Sequence, residues 1–200
     1  MFIQVVRGKV KDAGAAHAVG EQWQRDLAPG AKGYLGSTSG VAADGTYVVV
    51  VRFEDESSAR ANSDRPEQTA WSQEMSKQFD GPVSYYDCPT VDTIIGGGSD
   101  DAGFVQLMIY KTNDVDAARA LAQEFSKLGA MRPDIIGGTS ASTADGTFVD
   151  TNYFTSEAEA RQAEKQPMTP EVQSLMNRFG ELVDGETEFI DLSQPHFHSA

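Results

Sequence analysis

The sequence is poor in cysteine and in basic residues, and it contains no long apolar run. Cys88 is its single cysteine, which excludes an internal disulfide and a cysteine-based metal cluster. It has 16 Lys and Arg against 30 Asp and Glu, a net charge of −14, and so acidic a surface repels nucleic acid. No apolar stretch reaches the roughly 18 residues of a membrane span, and the N-terminal segment is strand-like rather than a signal peptide. We therefore expect a soluble cytoplasmic protein that binds neither membrane nor nucleic acid.

A repeated segment is what the sequence does contain. Residues 36–47 read GSTSGVAADGTY and residues 137–148 read GGTSASTADGTF, and seven of the twelve positions are identical. The similarity continues in the same order along both halves: Phe2 matches Phe104, and Pro66 matches Pro167. A period near half the chain length indicates a duplicated domain.

The repeat sets the predicted domain boundaries. Between the copies stands GGGSDDAG, a glycine-rich acidic segment without apolar periodicity, which is typical of a flexible linker. We predict a first repeat at residues 1–95, the linker at 96–103, a second repeat at 104–192 and a flexible tail at 193–200. The duplication makes a pseudo-dimer within one chain, and a further homodimer stays open.

Each repeat is predicted to have the order β-α-β-β-α-β, the ferredoxin-like arrangement. The Asp-Gly pairs at 44–45 and 145–146 predict tight hairpin turns, and Asp12 is a predicted helix N-cap. The predicted segments of the first repeat are Phe2–Arg7, Asp12–Leu27, Leu35–Ala42, Thr46–Phe53, Asp55–Phe79 with a break at Pro66, and Val83–Cys88. Those of the second are Phe104–Tyr110, Asp114–Leu128, Ile135–Ser142, Thr147–Phe154, Ser156–Leu182 and Thr187–Leu192.

The segment Tyr47–Phe53 is apolar on both faces, unlike a half-exposed antiparallel strand. Helices cover only one side of a ferredoxin-like sheet, so the other side needs a second sheet. The predicted fold class is therefore α+β: two tandem ferredoxin-like repeats packed sheet to sheet as a fused α+β barrel.

On these features the chain resembles the dimeric α+β barrel superfamily, especially tandem domains similar to antibiotic-biosynthesis monooxygenases. The resemblance rests on the strand order, the two Asp-Gly hairpins and the helices broken at Pro66 and Pro167. It implies a cofactor-independent monooxygenase acting on a small aromatic or polyketide-like compound. The alternative is a non-catalytic domain that binds a small ligand or a protein partner. The first-strand asparagine of haem-degrading members is replaced by Gln4 and Gln106, so we expect no cofactor, and haem or flavin binding ranks last.

Candidate site residues come from a difference between the copies and from the resemblance. Asp150 and Asn152 replace Val49 and Val51 on one face of a strand, and convergent polar groups on an apolar wall are typical of a ligand pocket. A buried Asp150 would have a raised pKa and could act as a general base. The alternatives are a more exposed strand or a purely structural hydrogen-bonded pair. The resemblance adds three pocket-lining candidates: Arg52, Trp71 and Tyr85.

The sequence assigns no functional role to the histidines. His17 flanks the apolar stripe of the first helix, where a solvated imidazole is expected. His196 and His198 stand near the C-terminus, where two ligands are fewer than the three or four that a stable metal site needs. We therefore expect a frayed end and no metal.

Overall fold

The computed structural model describes residues 1–127 and 132–200, and these divide into two compact units. The first unit is Met1–Pro89 with Gln194–Ala200, and the second is Thr90–Ser193. No helix in the described part of the chain is long and apolar enough to span a membrane.

The first unit has a five-stranded antiparallel sheet with the order β10-β2-β3-β1-β4. The strands and helices taken from the first half of the chain are β1 (Phe2–Val10), α1 (Ala13–Asp26), β2 (Tyr34–Val41), β3 (Thr46–Phe53), α2 (Glu56–Ser63), α3 (Pro66–Ser76) and β4 (Phe79–Cys88). The fifth strand, β10 (His196–Ser199), comes from the C-terminus of the chain.

The second unit repeats this plan with the sheet order β5-β7-β8-β6-β9. Its elements are β5 (Thr90–Ile94), β6 (Phe104–Lys111), α4 (Val115–Lys127), β7 (Ile135–Ser142), β8 (Thr147–Phe154), α5 (Glu157–Glu164), α6 (Pro170–Leu182) and β9 (Glu188–Leu192). The predicted end of its first helix, Leu128, lies outside the described residues. The α+β class and the ferredoxin-like order are thus confirmed in both units.

Local chemistry explains why these elements begin and turn where they do. The Asp12 side chain caps α1 by accepting a hydrogen bond from the backbone N–H of Ala15 at 2.9 Å. Gly45 and Gly146 both turn with φ of 83°, the left-handed conformation that glycine adopts at no steric cost. Pro66 begins α3, where its missing N–H costs nothing.

Two short strands overturn the predicted ends of the repeats. Residues 90–94 were expected inside the first repeat, but β5 pairs with β7 in the second unit. The expected flexible tail is instead β10, which pairs with β2 in the first unit, with His196 opposite Ser39 and Ser199 opposite Gly36. Each segment satisfies the backbone hydrogen-bonding groups of an otherwise open sheet edge.

Helices α1 and α3 cover one face of the first sheet. Trp23 of α1 packs with Phe2, Tyr34 and Phe53, and Met75 of α3 packs with Tyr47 and other side chains. The alternation of β3 places Tyr47, Val49, Val51 and Phe53 on this helix-facing side. On this side, the apolar cluster around Trp23 and the one around Met75 leave a space between the sheet and the helices.

Candidate functional site

A cavity of about 580 Å³ lies in the first unit, bounded by the sheet and by helices α1 to α3. This volume is in the range of small-molecule sites. Its apolar wall consists of aliphatic and aromatic side chains: Val6, Trp23, Val41, Tyr47, Val49, Val51, Phe53 and Trp71. A wall of this composition favours a largely apolar ligand with flat aromatic surface.

The two tryptophans of the chain both line this cavity, and each is fixed by a hydrogen bond. The indole N–H of Trp23 donates to Oε1 of Gln68 at 2.6 Å, and that of Trp71 donates to the backbone carbonyl of Val19 at 2.9 Å. Their rings meet edge to face with centroids 6.4 Å apart. The aromatic surface is therefore held in place before any ligand arrives, which lowers the entropic cost of binding.

Gln24 and Ser37 border the cavity beside the aromatic wall and form a hydrogen-bonded group with the buried Tyr34. The amide of Gln24 donates to the hydroxyls of Tyr34 at 2.8 Å and Ser37 at 2.9 Å, and the Tyr34 hydroxyl lies 3.0 Å from that of Ser37. These groups satisfy one another, so the network is rigid and keeps the buried hydroxyls from being unpaired.

Tyr47 adds a phenolic hydroxyl to the wall. Burial raises the pKa of Tyr47 to about 12, and its hydroxyl hydrogen bonds to Ser39. The phenol is therefore protonated at neutral pH and acts as a neutral hydrogen-bonding group, not as a base.

Histidines close the side of the cavity that β10 forms. The imidazoles of His17 and His196 stack with centroids 3.9 Å apart and planes inclined by 23°. His198 Nε2 lies 2.9 Å from Oε1 of Glu21. Burial, and then the neighbouring His17, lower the pKa of His196, so its imidazole is neutral at neutral pH.

Helix α1 brings its part of this wall through a second stripe of residues. His17, Gly20, Glu21 and Gln24 recur at the helical spacing and all line the cavity. The apolar stripe that contains Trp23 runs beside them. The sequence contains this signal, but a polar stripe next to an apolar one also fits a solvated helix face, the environment predicted for His17.

The histidines of β10 were missed for a different reason. In the sequence Pro195-His196-Phe197-His198, the two imidazoles are two residues apart, which puts them on the same face of a strand. The short, polar C-terminal segment gave no sign of which sheet it would join, so it was assigned to a frayed end.

Of the candidates predicted from the sequence, Trp71 lines the cavity, whereas Arg52 and Tyr85 do not. Arg52 points to the opposite face of β3, where its guanidinium donates to Oγ1 of Thr38 at 3.0 Å. Tyr85 lies on the edge strand β4 with 70% of its surface exposed.

Asp150 and Asn152 belong to the second unit, on the face that corresponds to the cavity wall of the first. Asp150 accepts hydrogen bonds from the hydroxyls of Ser140 at 2.6 Å and Tyr110 at 3.2 Å. Burial raises its pKa to about 6, in the predicted direction. Tyr110 stacks on Phe148 and meets Phe179 of α6 edge to face, so aromatic side chains cover this part of the sheet. The catalytic role of Asp150 stays a prediction.

No convergent set of metal ligands appears among residues 1–127 and 132–200: no three His, Cys, Asp or Glu side chains are placed to hold one ion. The three histidines and the one carboxylate that border the cavity are arranged as two pairs, His17 with His196 and His198 with Glu21.

Comparison with solved structures shows that this fold occurs elsewhere over the full length of the chain. A protein from Fusobacterium nucleatum, provisionally named as a monooxygenase, matches with a TM-score of 0.77 at 8% identity, covering 99% of this chain and 94% of the other. An anthrone oxidase-like protein matches with 0.75 at 12% identity, covering 99% and 92%. A provisionally named monooxygenase from Lactobacillus acidophilus matches with 0.71 at 14% identity, covering 99% and 95%.

These likenesses establish the fold. The chain has the ferredoxin-like α+β fold of the domains related to antibiotic-biosynthesis monooxygenases, as its resemblance implied. No family model and no curated protein matches the sequence. Function has to be argued from the cavity, because one fold supports many activities.

Proposed function

We propose that the first unit binds a small, flat aromatic compound in its cavity and oxidises it with O₂ without a metal or flavin. The observation that carries this proposal is the cavity itself: about 580 Å³, walled by both tryptophans and by β3, with polar groups along one side. Such a site holds an aromatic ring system by its faces and orients it by hydrogen bonds at its edge. The fold shared with an anthrone oxidase-like protein agrees with this class of substrate.

The proposed reaction needs no external reductant. An activated methylene between two aromatic rings reacts with O₂ to give a carbonyl and one molecule of water. Two C–H bonds and the O–O bond break, and the substrate supplies all four electrons that reduce O₂. The chain's own contribution is to bind the substrate, to keep bulk water away from its reactive carbon and to accept the proton that leaves it.

The acidic, cysteine-poor composition supports a cytoplasmic location for this activity. The repeated order of elements supports the origin of the chain as two fused copies of one domain, which makes it a pseudo-dimer.

In the second unit, Tyr110 and Asp150 hydrogen bond to each other on the sheet face that corresponds to the cavity wall of the first unit. We therefore assign the activity to the first unit.

Tryptophan fluorescence tests the binding step directly, because both tryptophans line the cavity. We expect 1,8-dihydroxyanthrone and its anthraquinone product to quench the emission saturably. Gly20 faces the cavity from α1, so Gly20→Phe fills it and should weaken binding at least about tenfold. Gly180→Phe is the matched control, a helical glycine of the second unit with open space around it, and it should leave binding unchanged.

An oxygen electrode then tests the chemistry. Consumption of O₂ above the protein-free rate, lost in Gly20→Phe and kept in Gly180→Phe, supports the oxygenase. Saturable quenching without O₂ consumption supports the alternative of a non-catalytic binding domain, which the internal pairing of Gln24, Tyr34 and Ser37 favours. Absence of quenching would overturn the proposed function as a whole.

A further inference from the structure

We propose that the stacked imidazoles of His17 and His196 bind an acidic hydroxyl of the ligand and accept its proton, so that the cavity selects phenols among flat aromatic compounds. This inference rests on the proposed function, because it assumes an aromatic ligand in the cavity of the first unit. It assigns a binding role to two residues that stand near opposite ends of the chain.

Few hydrogen-bonding groups along the cavity are available to a ligand. Apart from the exposed Gln194, the other polar side chains that line it are engaged with protein groups; Gln68 accepts from Trp23 and Asn62 accepts from Arg65, for example. Within the described chain, no protein group hydrogen bonds to the imidazole of His17 or His196, which contact each other through their faces. Their nitrogens lie in the ring planes and therefore remain open to a ligand.

The close stacking of the two imidazoles limits how many protons the pair can hold. Two positive charges at the 3.9 Å separation of these rings would repel each other strongly, so at most one imidazole carries the extra proton. The other presents a lone pair, which accepts a proton from an acidic hydroxyl. When that proton moves, the O–H bond breaks and an N–H bond forms, and the imidazolium is held beside the new phenolate. The lowered pKa of His196 agrees with a neutral imidazole that offers its lone pair before the ligand binds.

The charges around the histidine pair favour a neutral ligand over an anionic one. The groups that face the pair are His198 on β10 and Glu21 on α1, and these two contact each other. No lysine or arginine lines the cavity within the part of the chain that the structure describes. A permanently anionic ligand such as a phosphate or carboxylate would lack a cationic partner, whereas a neutral phenol generates its charge only as the imidazole becomes positive.

A matched pair of probes tests this inference: 2-hydroxyanthraquinone and its methyl ether, 2-methoxyanthraquinone, each titrated against tryptophan fluorescence. We expect the wild type to bind the hydroxy compound about tenfold more tightly, the equivalent of one good hydrogen bond. His196→Gln and His17→Gln should bring the two Kd values within about twofold of each other. Gly180→Phe, a helical position of the second unit with open space around it, is the control that should keep the preference.

The absorption spectrum gives a second measurement, because ionisation of the hydroxyanthraquinone shifts its visible band to longer wavelength. We expect the phenolate band in the wild-type complex at a pH where the free compound is neutral, and its loss in His196→Gln. Thermal melting of each variant verifies that it is folded.

The failures of the two proposals are distinguishable. Equal binding of both probes by the wild type, or a preference that survives in His196→Gln and His17→Gln, overturns the histidine site while the aromatic cavity stands. If neither probe quenches the tryptophans, the proposed function fails and the histidine site fails with it.

Discussion

Gly36 of β2 lies directly against the backbone carbonyl oxygen of His198 on β10, and a Cβ at this glycine would overlap that oxygen. Gly137 is its counterpart in the repeat, and a Cβ there would overlap the carbonyl oxygen of Gly97, which follows β5. The glycine that the two copies share therefore marks the place where each sheet receives a segment from elsewhere in the chain.

Gly36→Ala should detach β10 from the first sheet, because the new methyl group would occupy the space of the His198 carbonyl and the φ of 137° is unfavourable for alanine. We expect increased hydrogen exchange in residues 196–199 and loss of the stacked histidine pair. Exchange measured by mass spectrometry on the C-terminal peptide checks this. Exchange at the wild-type rate in that peptide would show that the close approach is not required for pairing.

Gly20→Ala should have the opposite effect on stability. Gly20 lies inside α1, and the nearest atom to a Cβ there is the Tyr47 hydroxyl oxygen at 3.8 Å, an ordinary van der Waals contact. Because alanine restricts the unfolded chain more than glycine does, the free energy of unfolding should rise by about 0.5–1 kcal/mol. Urea unfolding measures the change. Ala122, the residue that the repeat aligns with Gly20, indicates that the fold accepts a methyl group here.

Asp150→Asn should stabilise the protein at neutral pH. Burial raises the pKa of Asp150 from 3.8 to about 6, so the folded state holds a proton that the unfolded state releases between these values. The carboxyl group's contribution is therefore fully present below pH 4 and is lost as the pH rises towards 6. The asparagine does not ionise. The free energy of unfolding of the variant at pH 7 should therefore exceed that of the wild type by an amount on the order of 2 kcal/mol.

Asp44→Asn is the control for that experiment, because the pKa of Asp44 is shifted in the opposite direction from that of Asp150. The side-chain hydrogen bond from Lys9 lowers the pKa of Asp44 from 3.8 to about 2. Its stabilisation is present above pH 4 and is lost as the pH falls towards 2, so Asp44→Asn should destabilise at pH 7. Denaturant unfolding of both variants at pH 4 and 7 separates the two cases. If Asp150→Asn had the same free energy of unfolding as the wild type at both pH values, that result would contradict the desolvation of the Asp150 carboxyl group.

Cys88 should be unreactive in the folded protein. Its side chain is buried, and that burial raises the pKa of the thiol to about 12, so the nucleophilic thiolate is scarce at neutral pH. We expect a disulfide reagent to modify it only as fast as the protein unfolds, and to react at once in denaturant. Rapid modification under native conditions would show that β4 opens locally.

Local patterns in the sequence were sufficient for most elements. The bounds of β3, β7 and β8 agree with the prediction to the residue, because apolar β-branched runs and Asp-Gly turns act over a few neighbours. The N-cap at Asp12 and the helix start at Pro66 are local in the same way. The predicted sheet-to-sheet packing of the repeats stays a prediction.

Long-range partners were less accessible to sequence reasoning. The segments Thr90–Ile94 and His196–Ser199 are short and polar, and nothing within them specifies which sheet edge they join. The comparison of copies at Val49 and Asp150 singled out one face of β3 and β8, but it could not show that the cavity of the first unit lies beside the valines. That outcome depends on how Tyr110, Phe148 and Phe179 pack.

The sequence by itself determined the duplicated plan, the α+β class, the hairpins and the apolar face of β3, since each follows from periodicity and turn chemistry within one segment. Only the tertiary structure decided that β10 completes the first sheet and sets His196 against His17. Stacking of that pair depends on where two remote backbones are held, which is a property of the folded sheet and not of either segment alone.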